Sequence, residues 1–273
     1  MSPPWSRLGH DVVVLLSPDD VGPADVQGAD GCSPFFITCD HAGRLIPRSL
    51  GSLGLSEDQL ASHIAWDAGA AGVARRLGAA LGAYTVCQRY SRLVIDCNRP
   101  LDAADSIVPR SERTLIPGNQ TVRPDAAQER AHEIFHPYHD EIRRALEDRA
   151  AEGRPTVLVA MHSFTPVFMD RERPWHVGVL YNRDSRLAKP LLQALRDEGD
   201  LVVGENEPYA VGDLTDYSIV HHGERRGLPH VELEIRQDLI ADERGQDAWA
   251  ARFARLLPAA LATLPTLTTP PSR

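Results

Sequence analysis

Short apolar runs alternate along this chain with longer amphipathic ones, and that alternation leaves room for little besides an α/β architecture. The apolar runs predict strands at Val12–Leu16, Phe35–Cys39, Tyr84–Gln88, Leu93–Cys97, Thr156–Met161, Val177–Tyr181, Leu201–Val203 and His230–Ile235. The amphipathic runs predict helices at Glu57–Ala65, Ala68–Leu81, Pro124–Glu152, Leu187–Glu198, Thr215–Arg226 and Gln246–Leu257, the last expected to stop before Pro258. Ser56 and Gln59 have the spacing of a capping box, and Gly153 and Gly227 stand where glycines end helices. Residues 17–33 and 264–273 read as a surface excursion and a frayed tail, within an N-terminal stretch 1–33 that is partly irregular. Asp102–Arg123 has no clear period and carries Pro109, Pro117, Gly118 and Asn119, so it reads as a long functional loop. No repeat or linker divides the 273 residues, which predicts a single domain.

Composition narrows the classes of function. The net charge of −9 lacks the basic footprint that nonspecific nucleic-acid binding needs. Cys32, Cys39, Cys87 and Cys97 show no C-x-x-C pairing, as expected of reduced thiols in the cytoplasm. No basic segment with an apolar core opens the chain, and no apolar run approaches the roughly 20 residues of a membrane span. The expectation is a cytoplasmic protein acting on a small molecule, with neither nucleic acid nor membrane as partner.

Polar groups capable of chemistry fall at the ends of the predicted elements. The first half of the run Tyr90 to Pro100 alternates like a strand, and the run ends in Asn98-Arg99-Pro100, with Arg92 six residues before Asn98. A guanidinium fork beside an amide suits a substrate carboxylate, and surface ion pairs at a strand end are the plainer use of the same residues. His41 follows one strand and His162 another, while Glu234 lies on a third, sharing a face with Glu232 and Arg236. Neutral imidazole and carboxylate are the usual ligands of a catalytic zinc that keeps one position open. Asp67 stands at a helix start and reads equally as a cap or as a third ligand. His132-Glu133-Ile134-Phe135-His136 matches H-E-x-x-H, but Pro137 follows at once and disturbs the helix that a zincin site needs. His139 is a candidate for lining a pocket. Of the adjacent His221 and His222 at most one can face it, and His222 is chosen.

Taken in order, Cys39-Asp40-His41-Ala42-Gly43, Trp66-Asp67, Tyr90-Ser91-Arg92 through Asn98-Arg99-Pro100, Pro117-Gly118-Asn119, Pro137-Tyr138-His139, Met161-His162-Ser163-Phe164 and Glu234-Ile235 resemble the N-formylglutamate amidohydrolase family. The resemblance runs from about residue 35 to 240. It implies a three-layer αβα sandwich with a mixed central sheet, of the phosphorylase/hydrolase-like kind related to zinc carboxypeptidases, and hydrolysis of an N-formyl or N-acyl amino acid. The related aspartoacylase-type deacylases also pair an early Arg with a following Asn-Arg. The chain departs from the carboxypeptidase H-x-x-E pattern, because Arg44 stands three residues after His41. On this reading Zn2+ is held by His41, His162 and Asp67, Glu234 is the base, and Arg92 stabilises the oxyanion. Asn98 and Arg99, with Asn119, Tyr138 and His222, hold the substrate. The competing expectations are a zincin-type protease using His132, Glu133 and His136, and a carboxylate- or metal-binding protein without turnover.

Overall fold

The structure, a computed structural model, describes residues 14–265. Its eleven strands are β1 (Ala24–Gln27), β2 (Phe35–Cys39), β3 (Tyr84–Gln88), β4 (Arg110–Ser111), β5 (Thr114–Leu115), β6 (Val157–Phe164), β7 (Val167–Phe168), β8 (Arg171–Glu172), β9 (Val177–Leu180), β10 (Val203–Glu205) and β11 (His230–Arg236). Seven of them form a mixed sheet in the order β1-β3-β2-β6-β11-β9-β10. β3, β2, β6 and β11 run parallel, β1 is antiparallel to β3, and β9 is antiparallel to β11. β4–β5 and β7–β8 are separate two-stranded hairpins.

The six α-helices are α1 (Glu57–Ala61), α2 (Ala70–Leu81), α3 (Pro124–Arg130), α4 (His136–Ala151), α5 (Ala188–Asp197) and α6 (Glu243–Ala262). α2, α5 and α6 bury one sheet face around Leu77, Val159, Leu191 and Phe253. α4 and the turns of residues 90–97 bury the other around Phe36, Leu93, Tyr138 and Leu158. β2, β6 and most of β11 are buried on both faces, as central strands of an α/β sheet are. The result is the three-layer αβα sandwich with a mixed sheet.

Four expectations are corrected. Leu93–Cys97 is not a strand: Ser91 Oγ accepts from the Leu93 amide and Asp96 Oδ1 from the Asn98 amide, at 3.1 and 2.8 Å. Such local side-chain acceptors compete with sheet pairing and fold the segment into two turns. Ala24–Gln27, inside the supposed excursion, forms the edge strand β1. Val12 and Val13 lie outside the described residues, and Val14–Leu16 is not extended strand. α6 does not stop before Pro258 but runs through it to Ala262, because Leu256, Leu257 and Ala260 are packed in the core on either side. The tail from 266 to 273 lies outside the described residues. Pro124–Glu152 is one continuous helical run interrupted by a π segment at Ala131–Phe135.

Candidate metal centre

His41 lies two residues beyond the end of β2, and His162 lies inside the neighbouring β6, which continues past Met161 to Phe164. Asp67 precedes α2. Its carboxylate does not cap that helix, whose N-cap is Gly69, so the capping alternative falls away. The Asp67 amide donates to the His41 carbonyl at 2.9 Å, and the Ser163 amide donates to Asp67 Oδ2 at 3.3 Å. Three segments distant in sequence are thereby tied together, and one ligating atom from each of His41, Asp67 and His162 lies within 4.8 Å of the others. This is the one such trio among the described residues, and all three side chains are buried.

Asp67 Oδ2 sits 2.8 Å from His162 Nδ1 and 3.4 Å from His41 Nδ1. The outer nitrogens each face another carboxylate. His41 Nε2 donates to Asp96 Oδ1 at 2.6 Å, and His162 Nε2 lies 3.4 Å from Asp40 Oδ2. With its proton on Nε2, His41 turns a lone pair on Nδ1 inward, and that buried atom has no hydrogen-bond partner. Burial opposes the charge on Asp67, yet the facing His41 and His162 hold its carboxyl well below the usual range. Burial likewise opposes the charge on His162, but Asp40 and Asp67 raise its basicity. Two nitrogens and a carboxylate converging on one point, with a carboxylate behind each imidazole, are the donor set and outer support of a zinc-type site. The residues fit such an ion.

The carboxylates behind the histidines were not read from the sequence. Asp40 adjoins His41, and its Oδ1 accepts from Tyr138 Oη and Ser218 Oγ, both at 2.8 Å. Asp96 also accepts from Arg92 Nη2 at 2.8 Å. Arg92 Nη1 lies 3.6 Å from Asp67 Oδ1, so the guanidinium spans an inner and an outer carboxylate. Burial works against the Asp96 charge, while Arg92 and His41 draw its carboxyl well below the ordinary value.

The trio opens onto a cavity of ≈ 560 Å³ that Arg92, Asn98, Arg99, Glu232 and Glu234 also line. Glu234 pairs in register with His162 across β11 and β6. Burial, offset by His162 and reinforced by Asp67, pushes its carboxyl up to about 8. Arg99 donates through Nε to Asp105 at 2.9 Å and through Nη1 to the carbonyls of Asn98 and Thr215. Asn98 spends its amide on the neighbouring loop, accepting from Tyr217 and Ser218 and donating to Asp216. The hairpins β4–β5 and β7–β8 wall the cavity through Glu112 and Phe168, and an Arg113–Asp170 ion pair joins their tips.

Three expected substrate contacts are not brought to the cavity. Tyr138 is fully buried behind Asp40. Asn119 braces the loops, donating to the carbonyls of Leu93 and Val108 and accepting from Arg130. His222 meets His139 at 3.0 Å in the packed layer, and His139 Nε2 donates to the Cys97 carbonyl at 2.8 Å. The H-E-x-x-H segment does not converge either. His132 and His136 are exposed, and Glu133 accepts from the amides of Leu15 and Leu16.

The N-formylglutamate amidohydrolase family model matches residues 33–241. A gene product of Agrobacterium tumefaciens of known structure is 38% identical, with a TM-score of 0.88 over 91% of this chain and 98% of its own. An N-formylglutamate amidohydrolase from Ralstonia eutropha JMP134 shares the fold at 17% identity, with a TM-score of 0.61 over 88% of this chain and 99% of its own. None of the curated proteins matches the chain.

Proposed function

Because the chain belongs to the N-formylglutamate amidohydrolase family, we propose that it hydrolyses an N-formyl or N-acyl amino acid, releasing a carboxylate and a free amine, with a metal held by His41, Asp67 and His162. The observation that carries this reading is His41 Nδ1, buried and without a hydrogen-bond partner beside Asp67 and His162. A zinc ion there would supply a Lewis acid for the amide carbonyl and for water.

The chain's own groups do the rest. Glu234, raised in basicity by burial, takes a proton from water and returns it to the leaving nitrogen. Arg92, held beside Asp67 by Asp96, faces the charge that develops on the carbonyl oxygen. Arg99 lines the cavity with Nη2 free of protein partners among the described residues, and receives the substrate carboxylate. The enzyme is cytoplasmic on this reading, consistent with reduced cysteines; no helix among the described residues is long and apolar enough to cross a membrane.

The test is formate release from N-formyl-L-glutamate by zinc-loaded protein. Glu234→Gln should lower kcat by roughly 10²–10⁴-fold, the range for losing a general base, while metal content stays unchanged. Wild-type turnover in that variant would remove Glu234 from the role.

A further inference from the structure

Most carboxyls lining the cavity have a basic partner. Asp67 and Asp96 share Arg92 and face His41; Asp105 has Arg99; Glu112 has His63. Apart from the base Glu234, the lining carboxyls without an ion pair among the described residues are Glu232 and Asp216. Both line the cavity, and burial, reinforced by the nearby Asp216 and offset by His162, raises the Glu232 carboxyl well above the ordinary carboxylate range. Asp216 is 8% exposed and takes hydrogen bonds from Asn98, Gly212 and Thr215, all of them neutral. Glu232 is 2% exposed, and its buried Oε2 has no hydrogen-bond partner.

A buried carboxyl without donor or counter-charge costs stability, and native structures keep few of them without a use. On the face toward the cavity, Glu232 sits between Ala160 on β6 and Leu180 on β9, and Glu234 between His162 and Gly178. Glu232 and Glu234 share that face at alternate positions, so the unpaired acid lies roughly 7 Å along the strand from the base. The pair does not belong to the metal trio. Arg99 is on the same wall, bound to the Thr215 carbonyl one residue from Asp216.

We propose that Glu232 and Asp216 form a cation subsite that receives a protonated primary amine of the substrate, so that the preferred substrate is an N-acylated diamino acid, with its carboxylate on Arg99 and its free ammonium on the acid pair. This rests on the amidohydrolase reading of the same cavity, and its test uses binding alone. The probes are two pairs: Nα-formyl-L-lysine with N-formyl-L-norleucine, and Nε-formyl-L-lysine with 6-formamidohexanoate. Within each pair the difference of interest is an ammonium, placed on the side chain or at the α-carbon.

Calorimetry on the metal-loaded protein should give about 10–100-fold tighter binding of the ammonium-bearing member in one pair, the range for a charge-assisted hydrogen bond. Glu232→Gln should abolish that preference and leave binding of the uncharged member unchanged. Asp216→Asn, the second variant, should reduce it. No preference in either pair with wild-type protein, or a preference undiminished in both variants, overturns the proposal. A clear preference without formate release would retain the subsite and refute the amidohydrolase reading; formate release without a preference would do the reverse.

Discussion

Asp40 and Asp96 stand outside the trio, yet each of its imidazoles has one of them at its outer nitrogen. A carboxylate there fixes the tautomer and raises the ligand's basicity, and its loss commonly costs about 10–100-fold in metal affinity. Asp96→Asn should therefore weaken zinc binding by roughly that factor in a chelator-competition titration. Tyr138→Phe offers a finer test, since it removes one donor to Asp40 and nothing from the cavity. Its effect should appear in metal affinity with KM unchanged. A raised KM at saturating metal would restore Tyr138 to the substrate. His41, His162 and Glu234 were legible in the sequence because each ends or punctuates an apolar run. Asp96 was not legible as a partner of His41, since their pairing spans 55 positions and depends on two turns rather than a strand.

The turns of residues 90–99 show why alternation misleads at the level of elements. Every side chain from Leu93 to Asn98 is buried, so the apolar pattern reflects burial on all sides rather than one sheet face. α2 was legible, though its glycines were not explained by helix propensity. A Cβ on Gly78 would stand 2.1 Å from Thr85 Oγ1 on β3. Gly78→Ala, favourable in a free helix by about 1 kcal/mol, should here destabilise by about 1–3 kcal/mol in chemical denaturation. A stabilised variant would mean that the helix stands further from the sheet.

The His139–His222 contact joins α4 to the π turn Ile219–Gly223. Burial lowers His139 to about 4 and carries His222 down as well. Against an unfolded value near 6.5, the unfolded chain binds more protons between about pH 6.5 and 4. The stability from keeping His139 neutral is therefore complete above pH 6.5 and lost as pH falls toward 4, by an amount on the order of 3 kcal/mol. Other groups titrate there too, so the measurement is the difference in urea midpoints between wild type and His139→Gln. That gap should narrow or reverse on acidification; a constant gap would show that the pair does not resist protonation.

Across the whole molecule, β2 and β6 lie side by side in the sheet while about 120 residues separate His41 from His162. An ion bound between them would bind the folded chain far better than the unfolded one, and at a hundred times its dissociation constant would add about 2.7 kcal/mol. Chelation should lower the melting temperature accordingly, and Asp67→Asn should shrink the difference. The same arrangement makes the ion a clasp that can shut only after its two halves have met. Zinc offered to refolding protein should thus be captured late, behind the recovery of tryptophan fluorescence, because before β2 and β6 pair there is no place to hold it.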